Sequence, residues 1–531
     1  MLYDVIIVGG GFSGIYTLKH CIEEGLNAIL LEKSTEIGGV WNIQNKPGGV
    51  QDFTYSVTSK LYLSASDYPP PEDWPEFPHA SLVHEYLINY TRHFNLEPYI
   101  MTGMQVKNIQ HVDDIWTFDV NDGILWKSKN IVIATGVNTC PVYPNDTVFQ
   151  NFKGPSIHAH YYNPSTLEMC KNKRVLLIGG SDTACDIAMQ VCEVAQKTYV
   201  SIRNGQWFQD RHLGAESPAD MLYSRSVDWF IKNLLGKHYV HKKFGDDDVQ
   251  RWWGKGGSDI DIWKPKCDYL NSYYNKSRDI IRMVAKGRIK PLGRVKGIEG
   301  HRIECDGMEQ PVPIDIIIYA TGYNYLNCTP FLEEYMKAER YKRIFPIIHK
   351  NNGYRNDNIA LVGYIRPYLT SIPMLIELQS RYVACVFSKK TLLPNGKDMH
   401  ASAIKDKQKQ QKEFPCQAER IPFLVDPYDY SNDIAKLISA HPRYLQIWLQ
   451  DPFLGYCLMV DSWNHHAYRI HDEHPEKRAH AIKTIKEYHS HKTCQKIRKV
   501  FYNYAYSIGF NLILLSMIGY IVYRIYINYR S

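Results

Sequence analysis

Two glycine-bearing stretches have the residue types and spacing to hold phosphate: Gly9-Gly10-Gly11-Phe12-Ser13-Gly14 and Gly179-Gly180-Ser181-Asp182-Thr183-Ala184. In the first, Gly9 suits a tight turn, Gly11 lets backbone approach a pyrophosphate, and Gly14 allows close packing of helix on strand. The unpaired N–H groups of the following helix then face the phosphates, and Glu32, closing the next apolar run, can bind a ribose hydroxyl. A glycine-rich loop in an unrelated α/β domain would have to explain Glu32 as coincidence. The second stretch is degenerate, with Ser181 at the close-approach position and Ala184 at the third. Alanine is tolerated there, whereas Ser181 adds a side chain. Arg203 directly follows the next strand, where an acid serves a bare ribose and an arginine a 2′-phosphate. That choice points to NADPH over NADH; the alternative is a solvated charge at a strand end.

Strands and helices must hold these turns. Residues 4–8 are an apolar run of strand length, 15–24 have helical spacing, and 28–31 form a second strand. The same order recurs at 174–178, 185–194 and 198–202. Residues 116–120 and 125–129 read as paired strands around Asn121-Asp122-Gly123. A separate buried strand at 131–133 runs into Ala134-Thr135-Gly136, a pattern repeated at Ala320-Thr321-Gly322, so the chain has two related halves. Residues 66–75 are too proline-rich for a helix or central strand, and 82–93 return to helical spacing. Residues 209–261 read as an irregular insertion or substrate-side cap. Further on, 359–363 is a buried strand, 367–384 a loop entering a helix, and 398–413 a solvated face or linker. Short helices follow at 429–437 and 442–448 before a basic, His-rich stretch.

At 531 residues, two or three domains are expected. With 44% hydrophobic and 22% charged residues the composition is globular, and a net charge of +7 without a long basic block argues against nucleic acid as the main partner. The 12 cysteines include no CxxC pair and no metal-type spacing with histidine, so no metal is expected and disulfide reductases are excluded. The first strand begins so near Met1 that no signal peptide is expected, which keeps the body in the cytosol. Residues 505–523 are uncharged and long enough to cross a ~30 Å hydrocarbon core. Lys492, Lys496, Arg498 and Lys499 precede them, Arg524 and Arg530 follow, and tyrosines lie at both ends. A C-terminal membrane anchor is expected; Asn511 and Ser516 leave a buried helix as the alternative.

Phe152-Lys153-Gly154-Pro155-Ser156-Ile157-His158-Ala159-His160-Tyr161-Tyr162 resembles FxGxxxHxxxY, the fingerprint of flavin-containing monooxygenases. Baeyer–Villiger enzymes usually carry tryptophan at the position of Tyr162. Glu32 with Gly38-Gly39-Val40-Trp41, Ser66-Asp67, Ala320 to Tyr323, Glu377-Leu378-Gln379-Ser380-Arg381 and Tyr468-Arg469 follow in the family's order, so the resemblance covers essentially the whole chain. It implies an α/β fold with two Rossmann-like domains. The FAD domain is discontinuous (1–155 and 326–450), with an NADPH domain (156–325) between its parts that carries an insertion at about 209–261. A C-terminal region (451–499) and a tail anchor (505–523) in the endoplasmic-reticulum membrane follow.

The resemblance further implies that NADPH reduces FAD, that the reduced flavin adds O₂ as a C4a-hydroperoxide, and that a soft nitrogen or sulfur of a small molecule attacks it. Gly9 to Gly14, Glu32, Lys33, Gly39, Val40 and Trp41 would hold FAD. Gly179, Ser181, Asp182, Thr183, Ala184, Cys185, Asp186 and Arg203 would hold NADPH. No catalytic residue is firmly assigned. His158 and Tyr162 are linker candidates, with a hydrogen-bonded hinge as the plainer role for His158. Many relatives place asparagine at the position of Val57, which cannot donate a hydrogen bond, so Thr58 or Ser56 must substitute or H₂O₂ leaks. Baeyer–Villiger oxidation, an NADPH oxidase and a non-catalytic flavin scaffold remain rivals. Substrate identity is open, and an oligomer is compatible with the sequence.

Overall fold

A computed structural model of the chain describes residues 1–490 and 494–495, except 46, 214–216, 223, 237–257, 266, 269–270, 325–328 and 351–352. Two compact units divide it, one formed by 1–211 and 235–441, the other by 212–234 and the residues from 442 onward.

The larger unit is built on two sheets. In the first, β1 (Leu2–Val8) lies between β2 (Ala28–Leu31) and β6 (Leu125–Ile133), parallel to both. β3 (Ile100–Met101) extends the sheet beyond β2, while β5 (Ile115–Val120) and β4 (Val106–Val112) extend it antiparallel beyond β6. Val5, Ile6, Ile7 and Leu30 are fully buried, as expected for parallel strands covered on both faces.

β6 corrects the expectation of two strands. Its first half pairs with β5 through Ser128; opposite 131–133 the strand Ile359–Leu361 takes that place. Exposed and buried residues mix up to Asn130, whereas Ile131, Val132 and Ile133 are all buried. One continuous strand thus changes its hydrophobic pattern where its neighbour changes. The returning strand comes from far along the chain, so residues beyond the second sheet complete the first.

The second sheet is wholly parallel, in the order Ile289–Leu292, β9 (Lys197–Ser201), β8 (Arg174–Ile178), Ile316–Tyr319 and β7 (Ser156–His158). Successive side chains of β8 point to opposite faces. Val175 and Leu177 join one core with Ile187 and Val191, while Leu176 and Ile178 join another with Phe152 and Leu292. The stretch 209–261 divides between locations. Residues 212–234 belong to the smaller unit, whereas Ile260 packs in the sheet's core. Just beyond it, Trp263 does the same, its indole N–H donating to the Leu292 carbonyl at 2.9 Å.

The helix Ile372–Phe387 is buried along most of its length and lies against the helix Phe12–Glu23, where the Thr17 and Ser380 hydroxyls meet at 3.0 Å. Its Glu377 carboxylate accepts the Ser66 N–H at 2.8 Å and the Ser66 hydroxyl. Lys19, itself buried, pairs with Asp67 and with Glu23. These bonds fix the proline-rich segment, which Lys60 also grips by donating to the carbonyls of Glu72 and Trp74 at 2.7 Å. Residues 398–413, expected as a solvated face or linker, are the solvated face of a helix and not a linker. That helix, Gly396–Glu413, is capped by Asn395 and buries Met399, Ala403 and Gln410 on an otherwise solvated surface.

In the smaller unit, the helices Tyr444–Gln450, Pro452–Val460 and Pro475–Ser490 enclose Ile447, Leu454, Leu458 and Ile485. Arg225 stacks over Tyr444 and donates to the Tyr468 hydroxyl at 3.1 Å. Among the described residues no helix is long and apolar enough to cross a membrane, and the expected anchor at 505–523 lies outside them.

Candidate functional site

The two glycine turns end β1 and β8 in matching geometry. Gly9 donates to the Leu31 carbonyl at 2.9 Å and Gly179 to that of Ser201 at 3.0 Å. Ala134 donates to the Val8 carbonyl at 2.9 Å, and Ala320 to that of Ile178 at 2.8 Å. Gly9 and Gly179 have φ of 113° and 128°, and a Cβ would stand 2.5 Å from the Ala134 oxygen and 2.2 Å from the Ala320 oxygen. Each Ala-Thr-Gly segment therefore closes against a glycine turn, which is the structural content of the internal repeat.

The first turn fits a dinucleotide. No side chain caps the helix Phe12–Glu23, whose N-cap is Gly11, so its first-turn N–H groups remain oriented for phosphate. A Cβ on Gly14 would fall 1.8 Å from the Gly9 oxygen; one on Gly39 would fall 2.9 Å from the Gly11 Cα. The 37–41 loop is drawn onto the turn by Gly38 N–H donating to the Gly10 carbonyl at 2.8 Å, and Val40 and Trp41, half-buried, complete the single helical turn that Gly39 begins. Glu32 accepts from Gly10 N–H at 2.5 Å and from Ser34 N–H at 2.8 Å, one bond on each carboxylate oxygen. Lone pairs remain on both oxygens for ribose hydroxyls. Phe12 turns into the core against Tyr16, Ser13 lies under Gly363, and Lys33 is exposed, so backbone rather than these side chains forms the cradle.

At the second turn Ser181 caps the helix Asp182–Val194, its hydroxyl accepting Ala184 N–H at 3.3 Å. The side chain expected to crowd the phosphate thus serves the helix end instead. Ala184 and Cys185 are buried in the core and Thr183 is exposed. Asn275, which carried no sequence signal, donates to the Gly180 carbonyl at 3.1 Å and to Cys185 Sγ at 3.3 Å. Asp182 accepts Lys276 N–H at 3.1 Å. Burial raises Asp186 to about 7, against the opposing charge of Arg211, whose guanidinium lies 3.8 Å away. Arg203 is exposed. Desolvation, then the charges of Arg203 and Arg366, lowers the Arg420 guanidinium, while Arg366 itself donates to the Tyr273 hydroxyl at 2.9 Å. Arg366 and Arg420 lie far along the chain from Arg203, with no spacing to reveal them.

The linker segment joins the sheets. A Cβ on Gly154 would meet the Phe152 ring at 2.6 Å, so this glycine makes room for an aromatic that packs on the second sheet. His158 ends β7, and its Nδ1 accepts His160 N–H at 3.0 Å. Burial, then His160, lowers His158 to about 4, leaving its ring neutral at neutral pH. Its ring contacts Tyr143 and Tyr323, at 5.4 and 5.6 Å between centroids. Tyr162 is buried in the core that holds Val175 and Leu177, edge-on to Phe53, and burial pushes its hydroxyl well up. Val57 occupies a turn in which the Ser56 hydroxyl donates to the Thr58 carbonyl at 2.8 Å and accepts Thr58 N–H at 3.0 Å. Ser56 is therefore engaged within the turn.

Two dinucleotide-type turns at the carboxyl ends of parallel strands define an α/β protein with places for two nucleotides. The chain matches the family described as Flavin-binding monooxygenase-like over residues 3–523 and belongs to it. This is a family of NADPH-dependent monooxygenases, and the cofactors are FAD and NADPH. Flavin-containing monooxygenase 5 of Rattus norvegicus is 29% identical over 91% of each chain. S-allyl-L-cysteine S-oxygenase from Allium sativum has a similar structure, with a TM-score of 0.57 at 18% identity, covering 92% of this chain and 99% of its own. OTEMO in complex with FAD and NADP gives 0.64 at 14% identity, covering 82% and 98%.

Gly14→Ala is expected to yield soluble protein with little bound flavin, read as the ratio of flavin to protein absorbance; full occupancy would refute the packing role given to Gly14. For Asp186, the folded chain keeps a proton that the unfolded chain has released between the ordinary carboxylate range and about pH 7. Stability from this group therefore falls as pH rises through that window and is level above it. Thermal midpoints without nucleotide should drop more for the wild type than for Asp186→Asn between about pH 5 and pH 8. Equal drops would count against a raised Asp186.

Proposed function

We propose that this enzyme uses NADPH and O₂ to oxygenate soft nucleophilic nitrogen or sulfur in small molecules. The observation that carries this reading is the pair of matched glycine turns, one with Glu32 and one whose second strand leads into Arg203, joined by the segment of Phe152 to Tyr162. The sulfur chemistry in the name of the Allium sativum structure agrees with it.

FAD, when bound, supplies the redox chemistry, taking a hydride from NADPH and delivering electrons to O₂. Gly9 to Gly14, Glu32 and the 39–41 loop would hold it, through backbone N–H groups at the pyrophosphate and a carboxylate at the ribose. Gly179 to Asp186 would hold NADPH, with Arg203 on its 2′-phosphate. Residues 1–155 and 326–450 form the flavin domain and 156–325 the nicotinamide domain, so the linker sets their mutual placement. His158, neutral and buried, and Tyr162, protonated and buried, act there as positioning residues rather than as proton donors. Val57 offers no hydrogen bond to the reacting group, and with Ser56 engaged in its turn Thr58 is the remaining hydroxyl. Coupling of NADPH use to oxygenation is accordingly incomplete. Residues 505–523 anchor the enzyme in the endoplasmic-reticulum membrane with the body facing the cytosol.

Purified enzyme given NADPH, O₂ and a tertiary amine or thioether is expected to form the N- or S-oxide, with part of the NADPH appearing as H₂O₂. Val57→Asn should lower the H₂O₂ share. An unchanged share would remove Val57 from the account, ester from a ketone in place of an oxide would assign Baeyer–Villiger chemistry, and H₂O₂ alone would make this an oxidase. Deleting 505–523 should move the protein from alkali-washed microsomes into the supernatant; retention there would overturn the anchor.

A further inference from the structure

The smaller unit holds a cluster of metal-type donors that no sequence spacing announces. Cys457, Asp461 and His489 each direct one ligand atom to a common space, all within 4.8 Å of one another, and this is the one such group among the described residues. Cys457 and Asp461 are 2% and 5% exposed. The last turn of the helix Pro452–Val460 sets them on one face, Asp461 N–H donating to the Cys457 carbonyl at 3.2 Å. His489 arrives from the end of the helix Pro475–Ser490, which packs on that helix, and its Nδ1 lies 2.6 Å from the Asp461 carboxylate. A small cavity beside them is lined by Cys457, Asp461, Arg225 and a second buried thiol, Cys494.

An acid–histidine hydrogen bond next to a buried thiol is by itself ordinary structure. A thiol, an imidazole and a carboxylate within 4.8 Å of one another, with a second thiol lining the cavity beside them, are a different matter, because together they number the four donors of a closed tetrahedral zinc site. The geometry points to a structural Zn²⁺ site formed by Cys457, Cys494, Asp461 and His489. On binding, each thiol loses its proton to solvent as its sulfur takes up the metal. Zinc with two thiolates and one carboxylate carries a single net negative charge, and among the described residues Arg225 is the one basic residue lining that cavity. The site pins the ends of the two helices and Cys494 together. It lies in a different unit from both glycine turns, so its readout is metal content rather than turnover.

The full-length protein, purified under a non-thiol reductant, is loaded with zinc sulfate and exchanged into metal-free buffer, and its metal is counted by plasma mass spectrometry. About one zinc per chain is expected, as for a closed structural site. Cys457→Ser and Cys494→Ser should each fall to background while bound flavin is retained, and Cys416→Ser, at an exposed thiol elsewhere, should not change the count. Cobalt substitution gives a second test that needs no variant, since thiolate ligation produces an intense near-ultraviolet charge-transfer band. Zinc-free wild type, zinc retained by Cys457→Ser, or a cobalt spectrum without that band would each overturn the site.

Discussion

The larger unit depends on the approach of one backbone carbonyl to one glycine, made twice. At Gly9 and Gly179 the carbonyls of Ala134 and Ala320 occupy the space a side chain would need. Because Ala134 and Ala320 also pair with the last residues of β1 and β8, the contact couples the end of a central strand to the turn that follows it. Gly14 lets the first helix descend onto its own turn, which leaves that helix's N–H groups at the carboxyl edge of the sheet. Parallel strands bury both faces, so this edge is where polar chemistry is available.

The two turns differ in how they treat their helix ends. Gly11 leaves the first helix uncapped, whereas Ser181 satisfies one donor of the second. The second turn is braced from outside its motif, by Asn275 on the Gly180 carbonyl. The neighbouring Tyr273 ties it further: its hydroxyl accepts from Arg366 at 2.9 Å, and its backbone carbonyl and N–H bond the Gln417 amide. Arg366 and Gln417 come from the chain that returns to the first sheet. The two halves are therefore joined by polar contacts beside the second turn as well as by the linker.

The linker fingerprint has a physical reading in the same terms. Phe152 covers the second sheet and Gly154 is bare because that ring lies on it, while His158 caps its own turn and Tyr162 fills the core. Three of these four positions are explained by packing alone, and the fourth by a hydrogen bond. The motif thus marks how the second sheet is entered more directly than it marks chemistry.

The sequence by itself determined the strand–turn–helix–strand units, the placement of Glu32 and Arg203, and the internal repeat, because each depends on neighbours close along the chain. Hydrophobic period and glycine position suffice for such features. Tertiary structure alone decided that β6 is one strand with two successive neighbours, since its pattern follows partners rather than its own propensity. Only the fold could bring Ser66 to Glu377, Arg366 to Tyr273, and Asn275 to Gly180. Cys457 and Asp461 met His489 and Cys494 by the same route. A side-chain cluster assembled from distant segments leaves no periodicity to read, because its members share a place only after the chain has closed on itself.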